Sequence, residues 1–206
     1  MDLTQTRTAL HGVAELILAG PQYAESGDIR LRVVADGLAT VAEPDLRLEG
    51  GALVGPLGRH PLRGTYAEAA SAVGVTARRL DDVYRDGPGI RPEDEIEVDA
   101  EAVAALLQAF SVGDAALRSF APWEEPVLWP EHFDVGISVG EVNYGLSPGD
   151  ASLPEPYAYV GPWTARTGEF WNQPFGAARP LAALGDVAGV VAFLREGSER
   201  ASEQPT

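Results

Sequence analysis

Two runs of alternating side chains meet at a glycine in the C-terminal half of this chain, and they leave little choice of local structure. Phe133, Val135, Ile137 and Val139 alternate with Asp134, Gly136 and Ser138, the period of a half-buried strand. Gly140-Glu141 follows as a two-residue turn, with glycine first as a type II′ hairpin prefers. Val142, Tyr144 and Leu146 then alternate with Asn143, Gly145 and Ser147. The implied register pairs Val139 with Val142, Ser138 with Asn143, Ile137 with Tyr144, Gly136 with Gly145 and Asp134 with Ser147. One face is apolar. The other carries His132, Asp134, Ser138, Asn143 and Ser147 around a gap at Gly136 and Gly145, where absent side chains admit a ligand, another backbone or a packed helix.

This hairpin lies in a stretch, 126–175, that with Trp123 just before it holds all four tryptophans of the chain. Ser147-Pro148-Gly149-Asp150 has the composition of a type II turn. PEPYAYV predicts a strand with Tyr157 and Tyr159 on one face; after GPW turns the chain, TGEFWNQPF predicts another that ends near Pro174. Tyr and Trp place a polar tip on an apolar body, which suits the rim of a ligand pocket as well as a core edge. Trp163 and Trp171 are candidates for stacking on a planar or sugar-like ligand.

The flanks read as ordinary helices and hairpins. Leu10, Val13, Ala14 and Ile17 predict a helix over 4–19 that stops at Gly20-Pro21, with His11 on its flank. Residues 28–41 predict a hairpin turning at Asp36-Gly37, with Arg30 and Arg32 on one face; a second hairpin turns at Gly50-Gly51. Residues 57–64, with His60, read as loop. Thr65 and Glu68 have capping-box spacing for a short helix closed at Gly74. Residues 75–98 read as an acidic surface excursion whose carboxylates lack calcium-loop spacing. Asp99 caps a helix with Val103, Leu106, Leu107 and Phe110 on its buried stripe, interrupted at Gly113 and continuing to about 120. Asp186 caps the last helix.

Composition excludes several function classes. The net charge is −16, which opposes nucleic acid and anionic membranes. All basic residues are Arg, and Cys is absent, so Lys Schiff bases, thiolate nucleophiles and Cys-type zinc sites are out. No apolar run reaches the roughly 20 residues of a bilayer span, and the first residues lack a signal-peptide layout; a cytoplasmic location is the expectation.

Three chemistries fit the polar face. His132 and Asp134, at i and i+2 on a strand, can chelate a metal with Asp150, Glu155 or Glu169 completing the set. Ser147, His132 and Asp134 offer a nucleophilic arrangement without a nucleophile-elbow motif. Asp134 or Asp150 beside aromatics can do acid–base work. The candidate catalytic residues are therefore His132, Asp134 and Asp150, with His132 and Asp134 as the candidate metal ligands. The candidate ligand-binding residues are Trp129, His132, Asp134, Asn143, Ser147, Asp150, Tyr157, Tyr159, Trp163 and Trp171.

WPEHFD at 129–134, YGLSPGD at 144–150, PEPYAYVGPW at 154–163 and GEFWNQPFGA at 168–177 resemble an uncharacterised, mainly actinobacterial protein family. The layout extends over most of the chain, while the motifs lie in its C-terminal half. The family has no assigned activity, so the resemblance implies no reaction and no cofactor. It implies that His132, Asp134, Ser147, Gly149, Asp150, Tyr157 and Trp163 are the residues to test first, and its related pattern often replaces the His.

The expected fold is α+β, with antiparallel hairpins from both halves packed against three or four helices in a single domain over 1–198. That domain is β-rich over 28–64, helical over 65–120 and β-rich over 126–180, with a closing helix over 186–196 and a frayed tail over 199–206. The expected function is small-molecule binding in a pocket between the polar hairpin face and the Trp/Tyr-rich strands. Metal-assisted or acid–base hydrolysis and a homo-oligomeric or partner-binding module are the alternatives.

Overall fold

The computed structural model describes residues 3–85 and 87–203. The chain forms two compact units. One comprises the chain up to Ser111 with Leu128–Phe133; the other comprises Val112–Val127 with the chain from Asp134 onward. The fold is α+β, and within each unit the strands of the described residues pair antiparallel.

The first unit is organised around a buried helix. Helix α1 (Leu3–Gly12) runs into a π-helical segment (Val13–Ala19) and then α2 (Gly20–Ser26). All seven residues of the π segment are buried, Glu15 among them. Gly20-Pro21 does not stop the helix, contrary to expectation. Gly20 N–H donates to Glu15 O in the wider π register. Pro21 has no N–H to give, and the Leu16 carbonyl is met instead by Arg78 N–H at 2.9 Å. Gly20 makes that approach possible, since a Cβ there would lie 2.1 Å from Arg78 O.

Strands β1 (Leu31–Val34), β2 (Gly37–Thr40), β3 (Arg47–Glu49), β4 (Ala52–Gly55) and β5 (Gly58–Pro61) pair in sequence order, and β6 (Val127–Trp129) pairs with β1. The second hairpin turns at Gly50-Gly51 as expected. The first turns at Ala35-Asp36, one residue early, because Val34 pairs with Gly37. Residues 57–64 are not a loop: β5 carries His60 opposite Leu53. Helix α3 (Tyr66–Ala72) begins with the expected Thr65/Glu68 capping box.

Among the described residues, 75–85 and 87–98 form no helix or strand but are not a simple surface excursion. Leu80, Tyr84 and Ile96 are buried, while Arg78–Asp82, Arg79–Asp81 and Arg91–Asp94 pair on the outside. Tyr84 Oη donates to Glu15 Oε2 at 3.0 Å. Burial raises the Glu15 pKa above its ordinary value, against the pull of the Tyr84 hydrogen bond. One turn earlier, His11 stacks on Phe133 with ring centroids 5.1 Å apart, and its Nε2 lies 2.6 Å from Pro130 O. Burial holds the imidazole neutral, with its pKa lowered to about 4.

Helix α4 (Ala100–Phe120) is capped by Asp99, whose Oδ1 accepts from Ala102 N–H. Among the described helices it alone is long and apolar enough to cross a membrane by length and composition; half of that span is buried inside the protein. Gly113 does not interrupt it. In the second unit, β7 (Asp134–Val139), β8 (Val142–Ser147), β9 (Tyr157–Pro162) and β10 (Ala177–Pro180) pair in that order. Gly113 lets α4 close onto the apolar face of β7 and β8: a Cβ there would lie 2.7 Å from Leu146 Cβ and 3.0 Å from Val135 Cγ1. The strand expected over 168–174 is displaced to β10, because 168–176 turns twice, at Trp171 N–H to Gly168 O and at Gln173 with Gly176. Helix α5 (Leu181–Leu184) is a single turn. Helix α6 (Val187–Ser202), capped by Asp186, packs on β8 and β9. It continues through 199–202, where a frayed tail is expected, and buries Ala201; residues 204–206 lie outside the described residues. The helical elements exceed three or four because a π segment divides the first helix and α5 is a separate turn.

Two predictions follow from this packing. Gly113→Val forces the helix off the hairpin and is expected to lower stability by about 1–3 kcal/mol, read by urea unfolding; an unchanged midpoint would contradict the close approach. Between the ordinary His pKa of 6.5 and the folded value of about 4, the unfolded chain binds more protons, so acidification removes stability. The expected His11 contribution lost between pH 7 and pH 5 is about 2 kcal/mol. His11→Gln, which keeps a donor for Pro130 O, should lose that much less than wild type over the same interval.

Candidate functional site

The hairpin register in the second unit is the expected one, from Val139 opposite Val142 to Val135 opposite Leu146, with Gly136 opposite Gly145. Its turn differs. Gly140 and Glu141 have φ of 59° and 63°, so the turn is type I′ rather than II′. At the other end the strand begins at Asp134, because Phe133 has φ of 51° and breaks the alternation. His132 thus precedes the strand, and i, i+2 face-sharing with Asp134 does not apply to it.

Strand β9 does not face the hairpin across a pocket. It is the next strand of the same sheet, with Gly145 opposite Tyr159 and Ser147 opposite Tyr157. Side chains of opposed residues share a face, so the Tyr159 ring lies over the two glycines. A Cβ on Gly145 would sit 2.4 Å from Tyr159 Oη, and one on Gly136 would sit 2.9 Å from it. The ring spans the gap, and its hydroxyl donates to Asp134 Oδ2. The opening between Gly136 and Gly145 is therefore filled from within the sheet.

A second tyrosine–carboxylate pair stands beside the first. Tyr157 Oη donates to Asp150 Oδ2 at 2.6 Å. Asp150 Oδ1 accepts from Ser152 and Leu153 N–H at 2.6 and 2.8 Å, which closes the loop after the Ser147–Asp150 turn. Gly149 has φ of 105°, the positive value expected at the third position. Ser147 Oγ accepts from Gly149 N–H. Phe175 covers both tyrosines, its ring centroid 6.4 Å from Tyr157 and 6.3 Å from Tyr159. Burial first, then the adjoining carboxylate, pushes both phenols well above their ordinary pKa. Both remain protonated donors at neutral pH.

Further along the same face, Ser138 Oγ and Trp163 Nε1–H both donate to Asn143 Oδ1, at 2.8 and 3.2 Å. Trp163 is 66% exposed. Gly161 lies between this group and Phe175: a Cβ there would contact Phe175 O at 3.4 Å and Asn143 Cβ at 3.8 Å. One face of the second unit thus carries Trp163, Asn143, Ser138, Tyr159, Asp134, Phe175, Tyr157 and Asp150 in succession.

Of the expected ligand-binding residues, Asp134, Asn143, Ser147, Asp150, Tyr157, Tyr159 and Trp163 come together on this face. Trp171 lies elsewhere in the unit, T-stacked on Phe170. Trp129 and His132 belong to the first unit, where His132 is 62% exposed and 3.9 Å from Glu131. Among the described residues no three His, Asp or Glu side chains converge with metal-ligand geometry. Phe175, 42% exposed, escaped the sequence pattern because it sits in an irregular turn without periodicity. Arg179 on β10 and Arg200 on α6 escaped because their meeting is non-local; only the helical i, i+4 spacing of Glu196 and Arg200 could have been read from the residues. No family model, curated protein or solved structure matches this chain.

Tyr159→Phe removes one donor from a buried carboxylate and is expected to cost about 1–3 kcal/mol, measured by urea unfolding. Gly145→Ala should cost at least as much, because the methyl group occupies the position of the phenol ring. A Gly145→Ala protein as stable as wild type would mean that Tyr159 does not lie over the glycine pair.

Proposed function

We propose that the protein binds a small molecule carrying a planar or sugar-like ring on the β7–β9 face, with Trp163 as its stacking platform. The observation that carries this is the combination of exposure and fixation at Trp163. Leaving most of an indole in water forgoes roughly 2 kcal/mol of burial. Holding it by the Asn143 bond, with Ser138 on the same oxygen, also costs side-chain entropy. A side chain that only filled space would be buried, and one that only tolerated solvent would not be held.

The neighbouring groups complement such a ligand. Phe175 offers a second partly exposed ring. Asn143 and Ser138 are polar partners at its edge, as in sites where a few placed polar groups orient an apolar contact. The tyrosine–carboxylate bonds beneath, Tyr159 to Asp134 and Tyr157 to Asp150, stiffen the face. Asp150, engaged by two N–H groups and a phenol, acts as a loop cap.

A partner-binding or homo-oligomeric role is the second reading. It is favoured by the 71% exposure of Trp123 in the same unit, since tryptophan is enriched among the residues that carry interface energy. Titration of simple sugars and planar heterocycles, followed by tryptophan emission, tests the first. Trp163→Ala is expected to weaken a binder by about 3- to 10-fold. Ligands bound equally by Trp163→Ala and Phe175→Ala would exclude this face. Sedimentation that detects a dimer lost in Trp163→Ala would favour the second reading instead.

A further inference from the structure

We infer a second binding site in the same unit, a cleft of about 400 Å³ lined by Phe170, Trp171, Arg179 and Arg200, for a zwitterionic small molecule bearing a planar ring, the chemistry of an aromatic α-amino acid. It goes beyond the stacking face and uses none of its residues. The volume falls in the usual range of small-ligand sites.

The cleft is built around two immobilised guanidinium groups. Arg179 lies 5.6 Å from the Phe170 centroid and 5.0 Å from that of Phe193; Arg200 lies 5.0 Å from Phe170. Both converge on one carboxylate. Arg200 Nε and Nη2 are 3.0 and 2.9 Å from Glu196 Oε1, and Arg179 Nη2 is 3.3 Å from Glu196 Oε2. Aromatic faces and a shared counter-ion hold the two arginines without consuming them. A guanidinium has five N–H donors, and these contacts use only a minority, leaving donors that line the cleft for a carboxylate.

The rim selects against a simple anion. Glu169 and Glu203 also line the cleft, and neither carboxylate has an ion-pair partner among the described residues. With Glu196 the lining carries three carboxylates against two guanidinium groups, in a chain of net charge −16. An anion alone is repelled, and a cation alone leaves the arginine donors unused. A zwitterion satisfies both, with its carboxylate on Arg179 and Arg200, its ammonium toward Glu169 or Glu203, and its ring against Trp171.

Calorimetric titration of the full chain with phenylalanine, 3-phenylpropanoate and phenethylamine tests this. Phenylalanine is expected to bind at least about 10-fold more tightly than either partner lacking one charge. Arg200→Gln should weaken phenylalanine by on the order of 10- to 100-fold. Glu169→Gln, at an exposed position whose side chain makes no ion pair among the described residues, should weaken phenylalanine while tightening 3-phenylpropanoate, and it carries the test if Arg200→Gln fails to fold. Phenethylamine binding as well as phenylalanine, no phenylalanine binding at millimolar concentration, or indifference to both substitutions would overturn the inference. Phenylalanine binding that is lost in Trp163→Ala but kept in Arg200→Gln and Glu169→Gln would place it on the stacking face and overturn this inference, which keeps the two sites separate.

Discussion

The second unit depends on one side chain laid across a pair of glycines. Tyr159 covers Gly136 and Gly145 and reaches Asp134 from the neighbouring strand. That placement joins three strands through a side chain as well as through their ladders. It also decides what the face can do. The ring takes the space that a ligand would otherwise enter, and the carboxylate that would otherwise do chemistry is met by a phenol. The remaining chemistry is displaced outward, to Trp163 and Phe175 at the surface. On the opposite face Gly113 performs the complementary task, bringing α4 against Leu146 and Val135. The hairpin is thus thin on both sides, and each side is filled by a different partner.

The first unit solves a different problem, that of a helix whose middle, Val13–Ala19, is buried all round. Polar groups there cannot turn to water, and three of them or their neighbours find partners within the unit. Leu16 O takes Arg78 N–H, Glu15 takes Tyr84 Oη, and His11 lies against Pro130 O. The two titratable groups sit one turn apart and respond to acid with opposite sign. His11, with its pKa lowered, makes the fold less stable as pH falls. Glu15, with its pKa raised, is relieved when it takes a proton, so its burden grows as pH rises. Together they limit the first unit from both directions, and its broadest tolerance lies where the imidazole is neutral and the carboxyl is held by Tyr84.

Much of this was legible in the residues, and the failures have physical reasons. The hairpin register could be read because period-two alternation flips every side chain if it slips by one. The capping box and both helix caps at Asp99 and Asp186 could be read because they are local. The π segment could not, because Gly20-Pro21 stops an isolated helix and only the remote Arg78 N–H makes it continue. Tyr159 over the glycines was half legible. The gap at Gly136 and Gly145 is in the sequence, while its occupant depends on which strand lies next to β8, a non-local choice. Phe133 at positive φ was invisible, since an aromatic residue there carries no local signal, and with it went the shared strand of His132 and Asp134.

The use of arginine separates the second cleft from the rest of the molecule. Arg30, Arg47 and Arg79 pair with an aspartate two residues away, and Arg78, Arg91 and Arg118 with one three or four residues away. Such exposed local pairs contribute about 0–1 kcal/mol each; their main effect is to spend positive charge where it arises, so the surface stays acidic. Arg179 and Arg200 come from separate elements, β10 and α6, and are brought to one carboxylate and one aromatic ring. Stacking restrains a guanidinium while leaving its in-plane donors to hydrogen-bond. An acidic protein that pairs six of its other arginines with a nearby aspartate, yet brings Arg179 from β10 to the carboxylate that Arg200 reaches along its own helix and stacks both on rings, has kept donors in place at one cleft. Because the long-range field of that protein disfavours anions, the partner those donors suit is one whose negative group travels with a compensating positive one.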